Sequence, residues 1–546
     1  MTTVASAVGA ALARAGVRTV FGLVGSGNFH VTNALAEGGA KFVAARHEGG
    51  AAVMADAYAR VSGKLGVLSV HQGPGLTNAL TGITEAAKSR TPLLVLAPTV
   101  ASPRSNFYLD DVALAQAVGA SIVRVRSAAT AAADLARAYH TACGERRTVI
   151  LALPLEVQAE PAAPFTLPAA PNVPPSEPLP EAIAALTDAL LAARRPVFLA
   201  GRGARSARDD LVQLSERVGA LLATSAVARG LFRDVAFNLD VSGGLATPAA
   251  ADLIRGADLL VGWGGALNGW TLRRGALVGD GTTIAQVDID PAALGAHYRV
   301  DLGIVGDTAA VARAVQRELD RRGARPVRGY RSDAVAERLA RAGRWQDVPY
   351  DEHSEDGRID PRTLSIALDR LLPSARTIAV DSGNFMGYPT MFLEVPDADG
   401  FVFTQAFQAV GLGLATAIGA AIARPDRLTV AALGDGGALM GIADLETAVR
   451  LGLGMLVVVY DDEAYGAEVH HFGPAGHPLE HVTFPPANIA EIARGFGCVG
   501  VTVRAPADLA PVAAWLDGPQ DRPMLVDAKV TRGEPSWWLA EAFRGH

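Results

Sequence analysis

The chain has 546 residues, half of them hydrophobic and 19% charged, with a formal net charge of −7. That length exceeds one hydrophobic core and points to roughly three domains; the composition excludes a disordered chain, and an acidic balance without a basic run argues against nucleic acid as a partner. Cys143 and Cys498 alone cannot build a disulfide framework, which fits a reducing cytoplasm, and no apolar run approaches the ~20 residues of a membrane-spanning helix.

Residues 2–13 lack a basic leader and are followed by Arg14 and Arg18, so they read as an amphipathic helix rather than a signal peptide. A strand at 19–24 leads into Gly25-Ser26-Gly27-Asn28. After the next strand, at 41–45, Glu48 opens the segment Glu48-Gly-Gly-Ala-Ala-Val-Met-Ala-Asp-Ala-Tyr-Ala-Arg60. By itself, an acid there is only a partner for the helix dipole. A third strand, at 66–70, ends in His71-Gln-Gly-Pro-Gly-Leu-Thr-Asn78. Eight prolines within 161–180 mark the clearest linker.

Pro196–Ala200 reads as a strand followed by Gly201-Arg-Gly-Ala204. This resembles a dinucleotide-binding turn, without its third glycine or the acidic residue ~20 positions on. The charged stretch 325–360 marks a second boundary. Strand and helix patterns alternate throughout, predicting α/β domains with parallel sheets over 1–160, 178–325 and 358–546.

The last domain carries Asp381-Ser-Gly-Asn384-Phe385 and then Gln405-Ala-Phe-Gln408-Ala-Val410. Residues 428–433 and 455–460 read as strands, closed by Gly434-Asp435-Gly436-Gly437 and by Asp461-Asp462. Ile442, Leu445, Val449 and Leu453 give the stretch between them a helical apolar stripe. A strand-helix-strand crossover puts both strand ends on one edge of a parallel sheet, where ligands of open α/β sheets bind. Asp435 and Asp462, 27 positions apart, are therefore expected to converge. Two hard oxygen donors beside a Gly-rich turn suit a Mg²⁺ that also holds phosphate oxygens.

The segment Gly434-Asp-Gly-Gly to Asp461-Asp-Glu-Ala-Tyr-Gly466 resembles the thiamine-diphosphate fingerprint of the acetolactate synthase and benzoylformate decarboxylase superfamily, and the resemblance extends over nearly the whole chain. It implies three doubly wound parallel-sheet domains: pyrimidine-binding, central and diphosphate-binding. It makes Asp435, Asp462 and the carbonyl of Ala464 the metal ligands, although Asp462 stands where the family has Asn and adds a negative charge. Asn384, Phe385 and the amides of Gly436, Gly437 and Gly466 would meet the diphosphate; Gly434 and Tyr465 belong to the same cofactor-binding fingerprint. The carbonyl of Gln408 would accept from the 4′-amino group, and Val410, where Met or Leu is usual, would wedge between the cofactor rings. Glu48 matches the Glu that bonds N1′ of the aminopyrimidine and so promotes loss of the C2 proton of the thiazolium.

Ser26 and His71 match substrate-facing residues of benzoylformate decarboxylase, whose second His is missing at Asn268-Gly-Trp270. His470 and His471 follow the cofactor loop, where the family places substrate-pocket residues. Phe107-Tyr-Leu109 replaces the Phe-Gln-Glu of acetolactate synthases, and their downstream Lys falls near Ser121, which counts against the pyruvate-plus-pyruvate reaction. Some members bind FAD or ADP in the central domain; the incomplete turn at Gly201 argues against a flavin. The implied activity is cleavage or formation of the bond next to a 2-oxo group, as a 2-oxo acid decarboxylase or carboligase. A lyase or hydrolase of a non-acid ketone on the same cofactor is the alternative, as is a non-catalytic relative, which the presence of Glu48 disfavours. The implied partners are a small 2-oxo acid or ketone, and further copies of the chain in a homodimer or homotetramer with sites between subunits.

Overall fold

The computed structural model describes residues 2–168 and 176–542, so part of the proline-rich linker lies outside the described residues. The first sheet comprises β1 (Thr19–Gly22), β2 (Lys41–Ala44), β3 (Gly66–Ser69), β4 (Leu93–Thr99), β5 (Ser121–Arg124) and β6 (Thr148–Pro154), in the order β2-β1-β3-β4-β6-β5. Its central strands read Leu-Leu-Val-Leu-Ala-Pro-Thr and Thr-Val-Ile-Leu-Ala-Leu-Pro. Such near-continuous apolar runs are what a parallel sheet covered on both faces requires.

The second sheet comprises β7 (Pro196–Ala200), β8 (Leu221–Thr224), β9 (Asn238–Val241), β10 (Leu259–Trp263), β11 (Thr283–Asp288) and β12 (Leu302–Val305), ordered β12-β11-β10-β7-β8-β9. The helix Asp333–Ala342 adds Val335 and Leu339 to this domain's core, so that core reaches past residue 325. The third sheet comprises β13 (Arg376–Val380), β14 (Phe401–Phe403), β15 (Leu428–Gly434), β16 (Met455–Asp461), β17 (Val499–Val503) and β18 (Met524–Lys529), ordered β14-β13-β15-β16-β18-β17. All pairings in the three sheets are parallel. No helix among the described residues is long and apolar enough to cross a membrane.

One expectation is corrected in detail. The crossover from β15 to β16 is two short helices, Asp435–Gly441 and Asp444–Arg450, not one. The break follows Gly441, and Asp444 turns its carboxylate to the amide of Arg46 at 3.0 Å, in the first domain.

The terminal domains share a core. The helix Glu48–Ser62 lies on the helix Gly413–Ala423, which also covers β13 and β15. A Cβ on Gly419 would lie 2.3 Å from the carbonyl oxygen of Met54, so glycine permits the approach. In the central domain, the amides of Gly201 and Gly203 donate to the carbonyls of Trp263 and Gly264, both at 2.8 Å. A Cβ on Gly201 would lie 2.3 Å from Gly265 Cα. The turn that resembled a dinucleotide site is thus packed against the loop after β10.

Candidate active site

Asp435 begins the helix after β15, and Asp462 follows β16, its hydrogen-bonded neighbour. Asp435 is 8% exposed. Burial raises its pKa first, and the charges of Asp462 and Asp461 raise it further. Asp462 is raised chiefly by burial and then by Asp461, against the amide of Ala464 and the more distant charge of Arg532. The two strand ends therefore hold a carboxyl pair that resists ionisation. Asp461 itself is committed elsewhere, as the ion partner of Lys529.

A cavity of about 470 Å³ opens beside Asp435. It is lined by Gly436, Leu439, Met440, Tyr465 and Phe484 among others, all on the third domain. Glu463 is held between Arg358, at 2.8 Å, and Arg532, with a left-handed backbone of φ 55°. A Cβ on Gly466 would lie 2.2 Å from Asp462 Oδ2 and 3.2 Å from Asn384 Cβ, so Gly466 lets those side chains meet. Asn384 Oδ1 accepts from Ser536 Oγ at 2.9 Å. The ring of Phe385 is buried and stacks on Tyr460, with centroids 5.5 Å apart.

The loop 404–412 lies over the same turn. Val410 is 41% exposed, and its Cγ1 is 3.3 Å from where a Cβ on Gly437 would sit. Gln408 has φ 61°, a conformation that side chains disfavour. The amides of Gly411 and Leu412 donate to Asp381 at 3.0 and 3.1 Å. Burial nonetheless pushes the Asp381 carboxyl up to about 6.

A second group of residues assembles at the ends of β1 and β3. Glu48 is the first residue of its helix and half-buried, and Asn78 Nδ2 donates to its Oε2 at 3.1 Å. Gly75 separates Glu48 from His71: a Cβ there would lie 3.5 Å from Glu48 Oε1 and 3.2 Å from His71 Cβ. The amide of Gly27 donates to His71 Nδ1 at 3.4 Å, so the neutral ring carries its proton on Nε2. This contact seats the loop bearing the exposed Ser26 on His71, while Phe107 packs edge-on to the ring. Glu48, His71 and Ser26 are thereby brought together.

His470 and His471 lie on the short helix that starts at Gly466, and neither lines the cavity. Burial lowers the His470 pKa, while Glu534 pulls it the other way. Asn78, Asp381, Glu463 and Phe484 had no role in the sequence reading. Asp381 ends an apolar strand just as Asp435 does, a signal that was open to reading; nothing local marked Phe484.

Three family models cover most of the chain. The N-terminal TPP binding domain of thiamine pyrophosphate enzymes matches residues 2–118, their central domain matches 183–315, and their C-terminal TPP binding domain matches 381–528. The chain belongs to the thiamine pyrophosphate enzyme family. This thiamine pyrophosphate enzyme is 30% identical over 556 residues to an acetolactate synthase large subunit of Parasynechococcus marenigrum, covering 97% of this chain and 88% of that protein. It is 31% identical over 513 residues to a probable 2-ketoarginine decarboxylase of Pseudomonas aeruginosa, covering 91% and 88%. A sulfoacetaldehyde acetyltransferase of Alcaligenes xylosoxydans is 27% identical over 545 residues, covering 91% and 87%. The names of these relatives thus span a synthase, a probable decarboxylase and an acetyltransferase.

The donors suit the implied cofactor. Among the described residues no three His, Cys, Asp or Glu side chains gather into a metal cluster. Mg²⁺ needs fewer, because it typically takes one or two carboxylates and fills its shell with phosphate oxygens and water. Asp435, buried, and Asp462, half-buried, are carboxyls whose charge is opposed by desolvation, and they could hold such a cation.

Proposed function

We propose that this protein binds thiamine diphosphate with Mg²⁺ and breaks or makes the bond beside the oxo group of a 2-oxo acid. The observation that carries the reading is the Asp435/Asp462 pair on adjacent strand ends, with a glycine turn and a cavity beside it. Asp435, Asp462 and the Ala464 carbonyl would hold the metal. Asn384 and the amides of Gly436, Gly437 and Gly466 would hold the diphosphate. When bound, the cofactor supplies an electron sink for the bond being broken. Glu48 would hold a proton at N1′, the Gln408 carbonyl would orient the 4′-amino group, and Val410 would keep the two rings bent. His71, with its proton on Nε2, would orient a substrate carboxylate or pass a proton, with Ser26 beside it.

Glu48 and the cavity lie on different domains, and no residue lining the cavity comes from the first domain. Leu439, Met440 and Phe484 are exposed around one group; Phe29, Phe107 and Tyr108 are exposed on the domain of the other. Apolar groups left open on both surfaces favour a homodimer that joins the two, or a homotetramer of such pairs. A flavin has no part in this reading, because the amides of Gly201 and Gly203 are already paired. Two free cysteines favour the cytoplasm.

The test is CO₂ release from pyruvate, phenylpyruvate and benzoylformate with thiamine diphosphate and Mg²⁺, with and without an added aldehyde. An aldehyde product marks a decarboxylase, and a 2-hydroxy ketone marks a carboligase. No CO₂ under any condition removes the 2-oxo acid and leaves a lyase or hydrolase of a non-acid ketone.

A further inference from the structure

We infer that Glu85 is a positioning residue: from the first domain, it sets the 408–410 segment in the attitude the cofactor requires. The inference rests on the functional reading above. Glu85 lies near the end of the helix Pro74–Lys88 and is 0% exposed. A carboxylate buried to that degree must be fully partnered. Arg60 Nη2 reaches it at 2.8 Å and Ser89 Oγ at 3.3 Å. The other partners lie across the domain boundary: the amide of Ala406 donates to Oε1 at 3.2 Å, and the amide of Phe407 donates to Oε2 at 2.7 Å. Arg60 also donates to the carbonyl of Phe403 at 3.2 Å, and the Lys88 ammonium lies 5.8 Å from the Phe407 ring centroid.

The loop is gripped again at residues 411 and 412, by Asp381. Between the grips stand Gln408, Ala409 and Val410. A non-glycine residue keeps a left-handed backbone only where its surroundings impose it. Two buried carboxylates, one on either side of Gln408, are such an imposition. They fix where its carbonyl points and how far Val410 projects. Glu85 does not touch the cavity, so it acts only through the loop.

The test uses the full chain and the variants E85Q and E85D. E85Q keeps the volume but puts a donor where an amide or Arg60 must be met. E85D keeps the charge for Arg60 but withdraws the oxygens from the two amides by one methylene, and it serves if E85Q does not fold. Two readouts are taken: amide hydrogen exchange at 406–410 without cofactor, and hydrogen exchange at C2 of bound thiamine diphosphate by NMR. Both variants are expected to speed loop exchange by about 10-fold or more. They should slow C2 exchange by up to about 10²-fold, the effect of an ångström-scale misplacement. Affinity for thiamine diphosphate with Mg²⁺ should change far less, because the diphosphate is held elsewhere. Parental loop protection, or parental C2 exchange on a loosened loop, overturns the inference. So does a fall in affinity equal to the fall in C2 exchange, which marks a merely structural role. A parent protein that neither binds thiamine diphosphate nor exchanges its C2 hydrogen removes the functional reading and this inference together; parental exchange with unaffected variants removes this inference alone.

Discussion

Numbered within each domain, the two terminal sheets run 2-1-3-4-6-5, while the central sheet runs 3-2-1-4-5-6. The second order is the one best known for dinucleotide binding at the point where the strands reverse, between β7 and β10. In this chain that point is filled by glycine backbone, with Gly201 bonded to the last residue of β10 and Gly203 to the loop after it. The chemistry-bearing residues sit instead on the terminal domains. Strand order offers an edge; what occupies the edge decides whether it becomes a site. Close-packed amides leave nothing for a ligand to take. Desolvated carboxyls and a strained loop leave a demand that a ligand can meet.

The strongest way to break this contrast is at Glu48. E48Q should slow C2 hydrogen exchange in bound thiamine diphosphate by about 10⁴-fold, the upper range for a positioned acid or base, with much less loss of cofactor affinity. Loss of only ~1 kcal/mol of stability with normal exchange would reduce Glu48 to a helix-dipole partner. Next comes His71. H71A should lower turnover of a 2-oxo acid by about 10²–10³-fold while C2 exchange persists, separating substrate handling from cofactor activation.

The metal pair is third. Thiamine diphosphate at 100 times its dissociation constant should stabilise the protein by about 2.7 kcal/mol, seen as a raised Tm, only when Mg²⁺ is present. The same shift in excess EDTA would dissolve the metal role of Asp435 and Asp462. D462N, which restores the neutral donor usual in the family, should still bind.

In the central domain, G203A sharpens the contrast from the other side. Its Cβ would lie 2.8 Å from the carbonyl oxygen of Gly264. Overpacking of this kind costs about 1–3 kcal/mol, so Tm should fall while C2 exchange in the folded protein is unchanged.

The smallest effect is at Asp381. Burial holds its folded-state pKa at about 6, above the ordinary 3.8. The folded chain therefore binds this proton more tightly than the unfolded chain does. The resulting stabilisation is complete below about pH 4 and is lost as the pH rises through about 6. D381N should lose that dependence: its Tm relative to the parent should rise between pH 4 and 6.5. A constant difference would mean that Asp381 titrates normally.

Much of this arrangement was legible in the sequence because its cause is local. The apolar runs at 428–433 and 455–460, each closed by acid, already placed Asp435 and Asp462 on one edge. What was not legible depends on distant chain. The closed turn at Gly201 needs Gly264 and Gly265; the bond that fixes Glu48 needs Asn78; and the break after Gly441 accompanies Asp444 reaching across to Arg46. The periodicity of Ile442, Leu445, Val449 and Leu453 carried no sign of that interruption. Nor could side-chain type say that His470 and His471 would stand outside the cavity lining.

The helix Gly413–Ala423 has no charged residue on any face, and it is covered on one side by its own sheet and on the other by the helix Glu48–Ser62. The beginning and the end of the chain are therefore one inheritance. A chimera that took its first domain from one parent and its last from another would have to re-match the seam at Met54 and Gly419, where a single methyl group does not fit. The domain between them reaches the edge of that seam, where Arg205 donates to the carbonyls of Arg60 and Ala398. For anyone recombining such proteins, a new middle domain would have to bring matching contacts with it, such as Arg90 with Asp290 and Arg233 with Glu394.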